Sequence, residues 1–132
     1  MKKILTIISV VSFLLIGCNK NEEVALEPIK YRLISFSYEK DTGNNTSLMV
    51  MSIEFINPNN FGIKGIYNIE LKRDNTSFYL GGENSGLPSQ VINANDKIIV
   101  DVRMEDSYQA NVTPAETMSF EDASYIVTEF PL

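Results

Sequence analysis

Apolar and polar residues along the chain follow two rhythms. From Ile4 to Ile16, thirteen residues run apolar with only Thr6, Ser9 and Ser12 between them. From Ile29 onward the alternation has period two, the signature of strands with one face buried. Residues 31–38 set Ile34, Phe36 and Tyr38 on one face against Ser35 and Ser37. Residues 47–56 align Met49, Met51, Ile53 and Phe55, opposite Leu48, Val50, Ser52, Glu54 and Ile56. That strand is apolar on both faces at its start, which predicts a central position in a sheet, with the outer face reaching solvent near Glu54.

Residues 66–73 alternate Tyr67, Ile69 and Leu71 with Asn68, Glu70 and Lys72. Asp74-Asn75 then reads as a tight turn into residues 77–80, because both residue types tolerate positive φ. Gly81 to Gly86 is a loop, residues 90–92 a short strand, and Asn93 to Asp96 a second turn. Residues 97–104 give the cleanest alternation, with Ile98, Val100, Val102 and Met104 on one face. Thr113-Pro114-Ala115-Glu116 matches a capping box with proline at the first helical position, so one short helix is expected near residues 114–119. A last strand, 125–130, ends at Pro131. Six or seven strands with turns near every ten residues indicate an all-β, antiparallel sandwich or barrel.

Composition narrows the chemistry. The chain has 132 residues, no His, no Trp and one Cys. Without imidazole there is no Ser-His-Asp or Cys-His pair and no His-ligated zinc. The net charge is −6, which disfavours nucleic acid and anionic headgroups as partners.

The single cysteine falls at an informative place. Lys2 and Lys3 precede the apolar run, which rises only about 20 Å as a helix, short of the ~30 Å hydrocarbon core. Leu15-Ile16-Gly17-Cys18 follows and resembles the lipobox of bacterial lipoproteins. The resemblance implies a signal peptide over residues 1–17, diacylation of Cys18, and a mature protein beginning there. Two or more acyl chains anchor firmly where one binds only marginally. Cleavage would remove Lys2 and Lys3, leaving nine basic against 17 acidic side chains, a net −8. Residues 18–28 then form the lipidated end and a flexible tether, and 29–132 a single domain. Asn19 stands where an inner-membrane retention signal would carry Asp, which points to the outer membrane. Lys20, Glu22 and Glu23 are similar to the surface-export signal of Bacteroidota lipoproteins; a plain solvated linker is the other reading.

Met49 to Met104 resembles a second family. A strand ending in Asn57-Pro58-Asn59, then Phe61-Gly62-Ile63, the strand around Tyr67, Leu80-Gly81-Gly82 after a hairpin, and the strand 97–104 are similar to the water-stress and hypersensitive-response domain of late embryogenesis abundant proteins. The resemblance implies a β-sandwich of the immunoglobulin or fibronectin-III type and a setting in stress protection or protein contact. It implies no catalytic residue. Ser85-Gly86-Leu87-Pro88 lengthens the return from the hairpin relative to that pattern.

Three chemistries remain for weighing. Glu105-Asp106 and Glu121-Asp122 are the carboxylate pairs that glycoside hydrolysis would need, but both fall where solvated acids are ordinary. Asp41 to Asn45 and Asn93 to Asp96 offer oxygen ligands for calcium without the spacing of an EF-hand loop, and turn formation accounts for both. Tyr31, Tyr79 and Tyr108 belong to no obvious apolar face and could stack on a glycan; rim tyrosines with a wet hydroxyl are the ordinary alternative. The expectation is therefore a lipid-anchored envelope protein, not an enzyme and without cofactor or metal. Its partner would be another envelope protein, the alternative being a glycan or calcium ligand.

Overall fold

The computed structural model describes residues 24–107 and 114–132. Seven strands occur among them: β1 (Lys30–Glu39), β2 (Thr46–Ile56), β3 (Ile63–Arg73), β4 (Thr76–Gly81), β5 (Gln90–Ile92), β6 (Lys97–Ser107) and β7 (Met118–Glu129). One sheet has the order β1-β2-β6. The other is built on β3, which pairs with β7 from Lys64 to Arg73. Because β7 occupies that edge, β4 and β5 share the opposite edge, β4 against residues 68–73 and β5 against 63–65. All pairings are antiparallel, and the two sheets pack face to face as a β-sandwich.

The period-two pattern of β2 produces the core. Met49, Met51, Ile53 and Phe55 are fully buried and meet Ile63, Ile69 and Leu71 of β3 and Ala123 and Tyr125 of β7. The Phe55 ring lies 6.3 Å from Tyr67 on β3 and 5.7 Å from Tyr125 on β7, so one β2 side chain bridges two neighbouring strands of the facing sheet. Each such large apolar side chain contributes about 1.5–3 kcal/mol by leaving water. β2 is central in its sheet, as its two-sided apolar start predicts.

Three expectations change. First, Ile34 does not share a face with Phe36 and Tyr38. A register shift between Leu33 and Ser35 inserts it as a bulge, so Leu33 turns inward and Ile34 is 48% exposed. An extra residue in one strand reverses every face assignment beyond it.

Second, Glu54 does not emerge. It is 2% exposed, because Arg32 on β1 and Lys97 on β6 close over it from both sides.

Third, no helix forms at residues 114–119. Thr113 lies outside the described residues, but Met118 and Ser119 already belong to β7, opposite Arg73 and Lys72. Long-range partners take the polar groups of this segment instead. Asp74, held at φ 52° in the β3–β4 turn, accepts the Thr117 N–H at its carboxylate (2.9 Å) and donates its own N–H to Thr117 O (3.0 Å). Glu116 pairs with Lys40, and Tyr38 donates its hydroxyl to Ala115 O (2.7 Å).

Candidate functional site

Among the described residues the sandwich is open on the side where β4 and β6 face each other across the two sheets. Neither pairs with the other, and the seam between them holds two neighbouring hollows. The first, about 520 Å³, is lined by Tyr67, Tyr79, Leu80, Leu87 and Val102, with Asn84 and Ser85 at its polar rim. The second, about 480 Å³, is lined by Phe78, Met104, Thr76, Arg73 and Asp106. Inward residues of β6, Val102, Met104 and Asp106, thus form one wall of both.

Local sequence explains how the first hollow opens. Gly81 has φ +93°, and a Cβ there would lie 2.1 Å from Tyr67 O. Only glycine lets the chain leave β4 at this point, with the Gly82 N–H donating to Tyr67 O at 2.8 Å. Ser85 then folds the loop on itself, its hydroxyl donating to Gly82 O (2.7 Å) and accepting from the Leu87 N–H (3.2 Å). Tyr79 stands beside this loop, 59% exposed. In the second hollow the Arg73 guanidinium lies 5.4 Å from the Phe78 ring centroid and donates to Asp106 at 2.5 Å. Its Nε is buried without a hydrogen-bond partner among the described residues.

The three candidate tyrosines are not gathered into one site. Tyr79 lines the first hollow. Tyr31 lies on the opposite side of the sandwich, where its hydroxyl donates to Asp122 at 2.6 Å and its ring meets Phe120 edge-on at 6.0 Å. Donation from Tyr31, then from the Ala123 N–H, holds the Asp122 carboxyl below its usual range, while the Tyr31 phenol is pushed up, first by its bond to Asp122. Tyr108 lies outside the described residues.

The carboxylate pairs are engaged singly. Glu105 accepts from Thr46 (3.2 Å) and Arg103 (3.3 Å), Asp106 from Arg73, Glu121 from Ser119 (2.6 Å) and Asp122 from Tyr31. In the two turn clusters, Asp41 accepts the Gly43 N–H (2.8 Å) and Asp96 accepts the Lys97 N–H (2.8 Å). Among the described residues no three carboxylate, His or Cys side chains stand close enough to share a metal ion. Glu54, the most deeply placed carboxylate, is held ionised. Hydrogen bonding to Lys97 (2.7 Å), then the charge of Arg32 (3.0 Å), lowers its pKa against the opposing effect of burial.

The polar group that the sequence pattern does not reveal is Asn57. The tripeptide Asn57-Pro58-Asn59 reads as turn chemistry, yet both asparagines are buried. Asn57 Nδ2 reaches Phe61 O (2.9 Å), Asn93 O (2.9 Å) and Ile92 O (3.2 Å), and Asn59 clasps the Glu27 backbone through N–H to Oδ1 (2.7 Å) and Nδ2 to O (3.0 Å). This fixes one pole of the sandwich and the entry of the chain into it. No protein-family model matches the chain, and no curated protein matches it.

Proposed function

We propose that the chain is a bacterial envelope lipoprotein, anchored through acyl chains on Cys18 at the outer membrane, whose sandwich works without catalysis by contacting another envelope protein. The observation that carries the contact reading is the β4/β6 seam: an open, mainly apolar furrow beside an exposed tyrosine. Tyrosine is enriched at protein interfaces because it buries a ring while keeping its hydroxyl wet. The Lys2-Lys3 start, the apolar run and Leu15-Ile16-Gly17-Cys18 support the anchor. The likeness to the water-stress domain supports a setting in stress protection.

A glycan is the second reading, favoured by Asn84 and Ser85 at the rim beside the Tyr79 ring. Crosslinking in intact cells separates the two. Contact function gives one dominant protein adduct, lost in Tyr79→Ala, and no signal on a polysaccharide array. Saturable glycan binding that disappears in Tyr79→Ala assigns the seam to carbohydrate instead. Digestion by protease added to whole cells tests surface display, and full protection places the domain on the periplasmic side.

A further inference from the structure

β6 ends its sheet. It pairs with β2 over all of Lys97–Ser107 without a register shift, and no other described strand pairs with it. The Asn57 N–H donates to Asp96 O at 2.9 Å, one step beyond the opposed pair Ile56 and Lys97. Backbone groups alternate between the two edges of a strand. The even-numbered residues of β6 therefore turn N–H and C=O toward β2, and Ile99, Asp101, Arg103 and Glu105 turn theirs to the open edge. The other free edges are poorer templates. β1 is broken by the Ile34 bulge, β7 has two register shifts, and β4 is six residues long.

A long regular edge invites another strand, and its side chains select which one. Along this edge the signs alternate, Asp101 acidic and Arg103 basic, both on the outer face. Antiparallel pairing of β6 with β6 of a second copy, centred on Val102, sets Asp101 opposite Arg103 of the second copy, and Arg103 opposite its Asp101. Ile99 and Glu105 stand opposite each other in the same register, and all four are residues whose backbone groups face the new neighbour. Centring on Asp101 opposes that carboxylate to itself, and centring on Arg103 opposes the guanidinium to itself. Centring on Met104 sets Arg103 against Glu105, already its partner within the chain, and leaves Ile99 to pair beyond the end of β6.

We propose that the chain forms a twofold-symmetric dimer through β6, centred on Val102, which joins the two three-stranded sheets into one continuous sheet. This rests on the reading of the β4/β6 side as a contact surface and names its partner as a second copy. On the inner side, Val102 meets Val102 of the second copy beside the hollow that Tyr79 and Leu87 line.

Sedimentation equilibrium of the full chain, extracted into excess mild detergent, tests this. The native chain gives a dimer mass. Asp101→Arg and Arg103→Asp each weaken association at least about tenfold, because each sets like charges face to face twice, and the double reversal restores it. Circular dichroism and a denaturation curve for each variant confirm that the sandwich is intact. A native chain that stays monomeric, a dimer indifferent to Asp101→Arg, or a folded double variant that stays monomeric overturns the proposal. A monomeric chain that still crosslinks through the Tyr79 side to a different envelope protein also overturns the dimer, while the contact function stands.

Discussion

Asn57 Oδ1 accepts two hydrogen bonds from Asn59, one from its backbone N–H at 3.0 Å and one from its side-chain amide at 2.8 Å. With Nδ2 turned to carbonyls on the β2–β3 connection, the end of β5 and the β5–β6 turn, this one carboxamide is saturated and fully buried. Removing it strands several buried partners at once. Asn57→Ala is expected to cost about 3 kcal/mol and to lower Tm by more than about 10 °C. Asn57→Asp fares no better, because a carboxylate keeps the acceptor but faces three carbonyl oxygens. Urea denaturation of both variants checks this.

Acid is expected to loosen the sandwich at two places. Glu54 and Asp122 both have folded pKa values below their ordinary ones. Depressed carboxylates contribute stability above their unfolded pKa, and that stability is lost as pH falls through the folded value. The native chain should therefore lose denaturation midpoint steadily below the ordinary carboxylate range. Glu54→Gln and Asp122→Asn should each flatten that limb while lowering stability at neutral pH. An unchanged acid limb in both variants contradicts the assignment.

Alkali acts on a different group. Burial pushes the Tyr125 hydroxyl, which donates to Gln90 O at 2.7 Å, up to about 12. A raised phenol favours the neutral form in the fold, so its stabilising effect is complete below the ordinary tyrosine pKa, about 10, and disappears as pH rises through about 12. Absorbance titration near 295 nm should show a late-ionising fraction among the six tyrosines, coincident with unfolding and smaller by one tyrosine in Tyr125→Phe.

Gly65 is expected to tolerate no side chain. A Cβ there would lie 2.2 Å from Ile126 O and 2.6 Å from Tyr125 Cε1, so alanine must push β7 off β3. Gly65→Ala should cost roughly 3 kcal/mol, whereas Gly86→Ala, in open space at φ +71°, should cost about 1–2 kcal/mol from backbone conformation alone. Thermal melts of the two variants side by side give the comparison.

The anchor has its own test. Cys18→Ala should release the protein from the membrane fraction into the soluble one, and continued pelleting after a high-salt wash contradicts lipidation.

Where local rhythm and tertiary demand agree, the strands are legible in the sequence. β6 alternates cleanly, and on one face of β2 Met49, Met51, Ile53 and Phe55 are buried as period two requires. β1 is misread because a bulge at Ile34 leaves no mark on composition. The Thr113 to Glu116 segment carries local helix signals, but Asp74 and Lys40, more than forty residues distant in sequence, claim Thr117 and Glu116. Pattern reading also takes Asn57 and Asn59 as turn formers. Their burial depends on the β5–β6 turn and residue 27 arriving at the same pole, which no window of neighbouring residues contains. Tyr79 could be singled out because it fits no apolar face, but so could Tyr31, and only the fold separates a tyrosine in the seam from one spent on Asp122.

The clasp between Asn59 and Glu27 sets a leash length. Glu27 is fixed at the pole where β6 begins, so if Cys18 carries the proposed acyl chains, the length of chain between the two sets a reach to the bilayer of at most about 30 Å. In two copies joined through antiparallel β6 strands, these exit points fall at opposite ends of the pair. The two proposed lipid anchors would then enter one membrane with the pair lying along its surface, twofold axis upright, like a plank moored at each end. A lone copy could stand on its pole. Dimerisation would therefore change the height at which the rest of the envelope meets this protein as well as its mass.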